Sequence, residues 1–217
     1  MRIRRKPWAR AELDACPFFV KEPSENKGNW KEKFAKKQPM NLELGCGKGS
    51  FVAQIATMNT DKNYVAVDIK SEMLGLAKRK TEAMFEEKNL PTDNVFLTAY
   101  DVERIGDVFD TSDEIERIYI NFCNPWSKLK HQKHRLTHTK QLETYKKFLK
   151  PGAEIEFKTD DDGLFLSSQR YFDEAGFDII FITHDLHSEN ISSIMTEHEK
   201  MFSDEGIKIK YLVAKLR

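Results

Sequence analysis

A doubly wound α/β fold is predicted, with a mostly parallel seven-stranded sheet that ends in an antiparallel strand pair. Three observations predict it. From residue 40 onward, short apolar runs alternate with segments of helical periodicity. A turn of alternating glycines, Gly45-Cys46-Gly47-Lys48-Gly49, joins the first such run to the first helix. The polar residues Glu43, Asp68, Asp101, Asn124 and Asp160 all fall at the carboxyl ends of expected strands, where a doubly wound sheet binds its ligand.

Taken in order, residues 1–37 are polar and broken by Pro7, Pro17, Pro23 and Gly28, and read as a basic N-terminal arm with one short helix near 29–36. Trp8 beside the basic cluster is expected to plug a surface groove. Residues 38–217 form the main domain. Its first strand is 40–44, with Leu42 and Leu44 apolar, and Ser50 is positioned to cap the helix 50–58. The run Tyr-Val-Ala-Val-Asp at 64–68 is continuous and apolar, as a buried parallel strand should be. A long helix follows over 71–89, then a strand at 95–99, a helix near 103–109 and a strand at 117–122. A helix over 136–149 stops at the turn Lys150-Pro151-Gly152. Strand 153–158, helix 164–175 and two last strands, 178–183 and 207–216, complete the sheet, with a polar insertion at 184–206 between those two.

The glycine turn constrains the ligand. A P-loop has four residues between its first glycine and a Gly-Lys-Ser/Thr triplet, whereas here Lys48 precedes Gly49. A dinucleotide fingerprint has a glycine in sixth place, where this chain has Ser50. The remaining pattern is acidic-x-Gly-x-Gly-x-Gly, with Glu43 two residues before Gly45. A carboxylate there repels phosphate and suits a ligand with a positive pole. S-adenosylmethionine (SAM), with an ammonium, a sulfonium and no phosphate, is such a ligand. Asp68 lies nineteen residues after Gly49, where a nucleoside-binding α/β unit places the carboxylate that accepts from ribose hydroxyls. Asp101 is positioned to accept from the adenine amino group. The plain alternative for both aspartates is helix capping.

Composition bounds the rest. The chain has 217 residues, 40% hydrophobic and 32% charged, which fits one soluble domain without a membrane partner. The basic N-terminus lacks the apolar core of a signal peptide, and three scattered cysteines suggest neither disulfides nor a zinc pair, so a cytoplasmic protein is expected. Net charge is zero but unevenly spread. Residues 1–10 hold Arg2, Arg4, Arg5, Lys6 and Arg10 with no acid, and residues 128–150 carry eight lysines and arginines against Glu143 alone. Separate basic faces let a neutral protein bind a polyanion.

The stretch Asn-Phe-Cys-Asn-Pro-Trp-Ser-Lys-Leu-Lys-His-Gln-Lys-His-Arg-Leu-Thr, residues 121–137, resembles the bacterial tRNA (guanine-N7-)-methyltransferases. The likeness begins at Arg4–Trp8 and continues through Phe157-Lys158-Thr159-Asp160, Asp185-Leu186-His187 and Met195-Thr196-Glu197-His198-Glu199. The resemblance implies a Rossmann-like class I SAM-dependent methyltransferase acting on tRNA, expected in the variable loop, as a monomer or homodimer without a metal. It implies Glu43, Gly45, Gly47, Gly49, Asp68, Asp101 and Asn124 around SAM, with Asn124 catalytic. It implies Lys128, Asp160, Thr196, Glu197, His198 and Glu199 at the guanosine, and Lys130, His131, Gln132, Lys133, His134 and Arg135 on RNA. Three positions depart from the family pattern: Asn124 stands for an aspartate, Ser127 for a second proline and His134 for a usual arginine.

Guanine N-7 has an in-plane lone pair and no proton, so its methylation needs no general base. Catalysis is then mostly alignment, an effect worth roughly 7–11 kcal/mol. Asn124 retains a carbonyl acceptor without the charge. Glu197, Glu199 or Asp160 could accept from the opposite edge of guanine. Other readings compete with this one. Asn124-Pro125-Trp126 also resembles the Asn/Asp-Pro-Pro-aromatic motif of amino-group methyltransferases, with one proline fewer. His131, His134 and His138 are spaced for a metal but lack a nearby cysteine or carboxylate. A weakened RNA-binding protein of the same fold is the reading that Asn124 favours, and a small-molecule methyltransferase leaves the basic clusters without a role.

Overall fold

The computed structural model describes residues 6–217; Arg2, Arg4 and Arg5 of the basic N-terminal cluster lie outside the described residues. The elements in chain order are α1 (Pro7–Asp14), β1 (Phe19–Val20), α2 (Trp30–Lys33), β2 (Met40–Leu44), α3 (Ser50–Met58), β3 (Asn63–Asp68), α4 (Ser71–Glu87), β4 (Val95–Ala99), β5 (Ile115–Asn121), α5 (Thr139–Tyr145), β6 (Leu149–Thr159), α6 (Asp162–Glu174), β7 (Phe177–Thr183), α7 (Glu197–Asp204) and β8 (Lys210–Leu216). The sheet has the order β1-β4-β3-β2-β5-β6-β8-β7. Pairing is parallel from β1 to β6, and β8 runs antiparallel to both β6 and β7.

The sheet therefore has eight strands where seven were expected. The extra strand comes from the N-terminal segment, where Phe19 and Val20 pair with Leu97 and Thr98. Two residues carry no periodicity to read. The same segment is tied down again at Trp30, which is fully buried and stacks on Phe109 with ring centroids 5.3 Å apart. The Trp30 indole N–H donates to the Val108 carbonyl at 2.9 Å, so the large apolar ring is buried with its one polar atom satisfied. Trp8, half-buried on α1, lies under the Arg79 guanidinium at 3.6 Å, where α1 crosses α4 closely at Gly75.

Alternate strand residues feed two cores. Leu42, Leu44, Val65, Val67, Ile118, Ile120, Ile155 and Phe157 meet α5 and α6. Tyr64, Ala66, Val95, Leu97 and Tyr119 meet α3 and α4 through Phe51, Val52, Ile55, Leu74 and Phe85.

Several boundaries differ from expectation for local reasons. Ser50 is the first helical residue of α3, and the N-cap is Gly49 in the left-handed region without a side-chain cap. The long helix closes at Glu87, with Asn89 at φ 51° turning the chain. The helix expected over 103–109 is a 3-10 turn, Val102–Asp107, and the one near 29–36 is limited to Trp30–Lys33 because Phe34 is already extended. The helix expected from 136 begins at Thr139, where the His138 side chain accepts from the Lys140 N–H. The turn Lys150-Pro151-Gly152 lies inside β6 as an irregularity, with Gly152 at φ 75° and a register shift opposite Ile115 and Arg117. Strand 207–216 starts only at Lys210.

Candidate active site

The carboxyl ends of β2, β3 and β5, with the turn after β4, open onto two adjoining clefts separated by Gly45 and Phe122. The larger, about 490 Å³, is lined by Asp68, Ile69, Met73, Asp101 and Asn124 among others. The smaller, about 180 Å³, lies over the glycine turn between Glu43, Asn121 and the start of α7. A third, open cleft of about 370 Å³ shares Asn124 and Trp126 with the larger one.

The glycine turn is shaped by its backbone. Gly45, Gly47 and Gly49 take φ 79°, 53° and 71°, which costs a Cβ-bearing residue roughly 1–2 kcal/mol at each place. The N–H groups of Gly45 and Cys46 both donate to the Val67 carbonyl, at 2.9 and 3.0 Å. A Cβ on Gly47 would meet nothing within 4 Å, so this glycine leaves open space beside the cleft. Gly49, expected at the cofactor, faces α4 instead: a Cβ there would stand 2.6 Å from that of Ala77. Its absent side chain permits helix packing.

Two carboxylates frame the turn. Asp68 accepts from the Gly47 N–H at 2.9 Å with Oδ2 and from the Lys70 N–H at 2.8 Å with Oδ1. It thus fixes the loop and keeps lone pairs free, since a carboxylate has about four acceptor sites. Burial raises its pKa above the usual carboxylate range. Glu43 is 4% exposed. Its Oε1 accepts from Asn121 at 3.4 Å, and its buried Oε2 has no partner. Burial pushes its carboxyl up to about 8. An orphaned carboxylate oxygen beside an open cleft calls for a donor of opposite charge. Asp101 lines the cleft and also caps the following turn, accepting from the Glu103 N–H at 3.0 Å. These acceptors suit a ligand with a positive pole and with hydroxyl and amino donors, as SAM has, and among the described residues Lys48 and Lys70 are the lysines that line the two clefts.

On the other wall, Phe122 and Trp126 hold left-handed backbones, φ 53° and 42°, on either side of Asn124. Asn124 Oδ1 accepts from the Trp126 N–H at 3.0 Å, which fixes the turn. Arg135, expected on RNA, is 4% exposed and donates through Nε to the Pro125 carbonyl at 2.8 Å. It braces the loop from within. His134 contacts Glu103 at 2.7 Å, and His131 lines the third cleft with exposed Lys128. Lys130 and Lys133 are exposed and Gln132 is half-buried.

The 184–206 insertion closes the small cleft. Thr196 caps α7 by accepting from the Glu199 N–H in a capping box. Glu199, expected at the guanosine, turns inward at 1% exposure, with Oε2 3.1 Å from the buried Lys158 ammonium. Lys158 also donates to the Ile194 carbonyl at 3.0 Å, and burial lowers its pKa. Glu197 faces outward and joins Lys48 of the glycine turn, at 3.2 Å, to Lys80 of α4; the hydrogen bond from Lys80 leads in lowering its pKa. His198 stacks near Phe122, ring centroids 6.3 Å apart. Asp160 follows β6 half-buried, its carbonyl accepting from Lys210 at 2.9 Å, and lines none of these three clefts. Lys158 and Phe122 are site residues that sequence reasoning assigns no role. Lys158 has a signal, a lysine within an apolar strand; the left-handed backbone of Phe122 has none.

Residues 37–212 match the family described as "Putative methyltransferase". The tRNA (guanine-N(7)-)-methyltransferase of Clostridium beijerinckii is 59% identical over 99% of this chain and 98% of its own length. That of Clostridium perfringens strain 13 is 57% identical over 99% of both. Among solved structures, the 16S rRNA methyltransferase KamB superposes with a TM-score of 0.61 at 11% identity, covering 99% of this chain and 96% of that one. An antibiotic-related methyltransferase gives 0.58 at 15%, with the same coverage. These two likenesses concern the fold.

Proposed function

The chain belongs to the tRNA (guanine-N(7)-)-methyltransferase family, and from that premise we infer that it methylates N-7 of a guanine in tRNA, using SAM. The observation that carries this reading is the junction at Asn124. A cleft suited to a cationic nucleoside stands on one side of it, and a cationic, aromatic loop suited to RNA stands on the other. When bound, SAM supplies an activated methyl: the N-7 lone pair forms the N–C bond as the C–S bond breaks, the bonding pair leaves with sulfur, and no proton moves.

The chain's residues have correspondingly simple tasks. Glu43, Asp68 and Asp101 fix the cofactor's position. Asn124, fixed by its bond to Trp126, shapes the passage between the clefts. Glu197 and His198, exposed at the start of α7 and across Phe122 from the Asn124–Trp126 loop, are assigned to the guanosine on family likeness. Thr196 and Glu199 hold that helix in place. Lys128, Lys130, Lys133 and His131 meet phosphate.

We place the target guanine in the variable loop on family likeness, and the protein in the cytoplasm as a monomer or homodimer. Among the described residues no helix is long and apolar enough to cross a membrane.

Methyl-labelled SAM incubated with unmodified tRNA and, separately, with ribosomal RNA tests the reading. Label in tRNA alone is expected. Label in ribosomal RNA alone would overturn the substrate class.

A further inference from the structure

Trp126 has no part in the roles assigned above, yet its backbone and its ring are both held in place. Its backbone is left-handed at φ 42°, a conformation that survives in a bulky residue only where the surroundings enforce it. Asn124 Oδ1 holds its N–H, and buried Arg135 holds the preceding carbonyl. His131 and His134 pack against the indole, with ring centroids 5.7 and 5.4 Å away. Despite these contacts the residue is 36% exposed. It stands in the partition between the large cleft and the open one, which it lines with Asn124, Ser127, Lys128 and His131. Residues 122–140 contain no acid, and Lys128 and His131 line the open cleft with the indole, while the acids Asp68, Asp101 and Glu103 line the large cleft on its other side.

We propose that Trp126 is the stacking surface for the guanine that is methylated. The proposal rests on the methyltransferase reading above. An unpaired nucleobase fits this flat, pre-positioned ring, whose lysine neighbours suit the attached phosphates. The target base is favoured over a neighbour because Asn124 and Trp126 itself line both the open cleft and the large cleft beside it. N-7 methylation also places positive charge on the purine. An electron-rich indole against its face attracts that charge more strongly as it develops, which is transition-state stabilisation. Trp126 therefore acts on turnover as well as on tRNA binding.

The test compares Trp126→Leu, bulky but not aromatic, with Trp126→Phe. Trp126→Leu is expected to lower kcat about tenfold and to raise KM for tRNA severalfold, with the SAM Kd within about twofold of wild type. Trp126→Phe is expected to recover most of the kcat loss. In parallel, the fluorescence that wild type has and Trp126→Phe lacks should be quenched by tRNA. Equal loss in both variants, a KM effect without a kcat effect, or a tenfold weaker SAM Kd would each overturn the proposal. If wild type transfers no methyl group to tRNA, the function reading fails by itself. The quenching, which needs no turnover, then decides on stacking: none means that Trp126 is not a base platform. Should Trp126→Leu not fold, the Trp126→Phe kinetics and the quenching still decide, since a fully active Trp126→Phe without quenching contradicts stacking.

Discussion

Along the two adjoining clefts, Glu43, Asp68 and Asp101 stand at or just after the ends of three adjacent parallel strands, β2, β3 and β4. Backbone geometry places them, and their partners are nearby N–H groups or Asn121. At α7 and in the loop after β5, position comes mostly from side-chain contacts between elements. Lys158 of β6 meets Glu199 of α7, Lys48 and Lys80 meet Glu197, and Arg135 braces Pro125. The contrast teaches that the first half is a property of the sheet and the second a property of side-chain pairing. Substitutions should therefore break them separately.

The largest effect is expected at the buried pair. Glu199→Ala leaves the Lys158 ammonium without its buried counter-charge and removes the capping box. It should cost about 3–5 kcal/mol in urea denaturation. A loss under about 1 kcal/mol would show that the insertion does not depend on this pair. Asp68→Ala, by contrast, should leave the fold largely intact. It should weaken SAM binding at least about tenfold in calorimetry, the scale of lost hydrogen bonds to a charged group; unchanged binding would remove Asp68 from the cofactor site.

Glu43 gives a pH signature. Its carboxyl is raised to about 8 by burial, so in the free protein it is protonated at pH 7. Because the folded pKa lies above the unfolded one, its contribution to stability is full below the ordinary carboxylate range and declines as pH rises toward about 8. A cationic ligand favours the anion, so SAM binding at pH 7 should release a proton, and affinity should grow as pH approaches 8. Calorimetry in buffers of different ionisation enthalpy measures that proton. Glu43→Gln should abolish the release, and release persisting in that variant would assign it elsewhere. The smallest effect belongs to Asn124→Asp, which supplies the aspartate that the family resemblance implies there and keeps the acceptor bonded to the Trp126 N–H. Turnover should be unchanged or a few-fold higher, and a tenfold loss would mean that the loop is built around the amide.

The same contrast governs what the sequence discloses. The glycine turn, the strand ends and the spacing to Asp68 are local patterns, and each is where periodicity puts it. The inward turn of Glu199 and Arg135 is not local. Each is a charged residue in a polar stretch whose direction depends on what faces it, Lys158 and the Pro125 carbonyl. The strand Phe19–Val20 is similarly silent, because its only support is the register with β4.

The most direct measurement is the identity of the product nucleoside after transfer from labelled SAM to unmodified tRNA, by mass and fragmentation. 7-Methylguanosine is the predicted result, and would show that Asn124 suffices at the junction. A guanine methylated on its exocyclic amine, or no methylated nucleoside while SAM and tRNA both bind, would contradict the account.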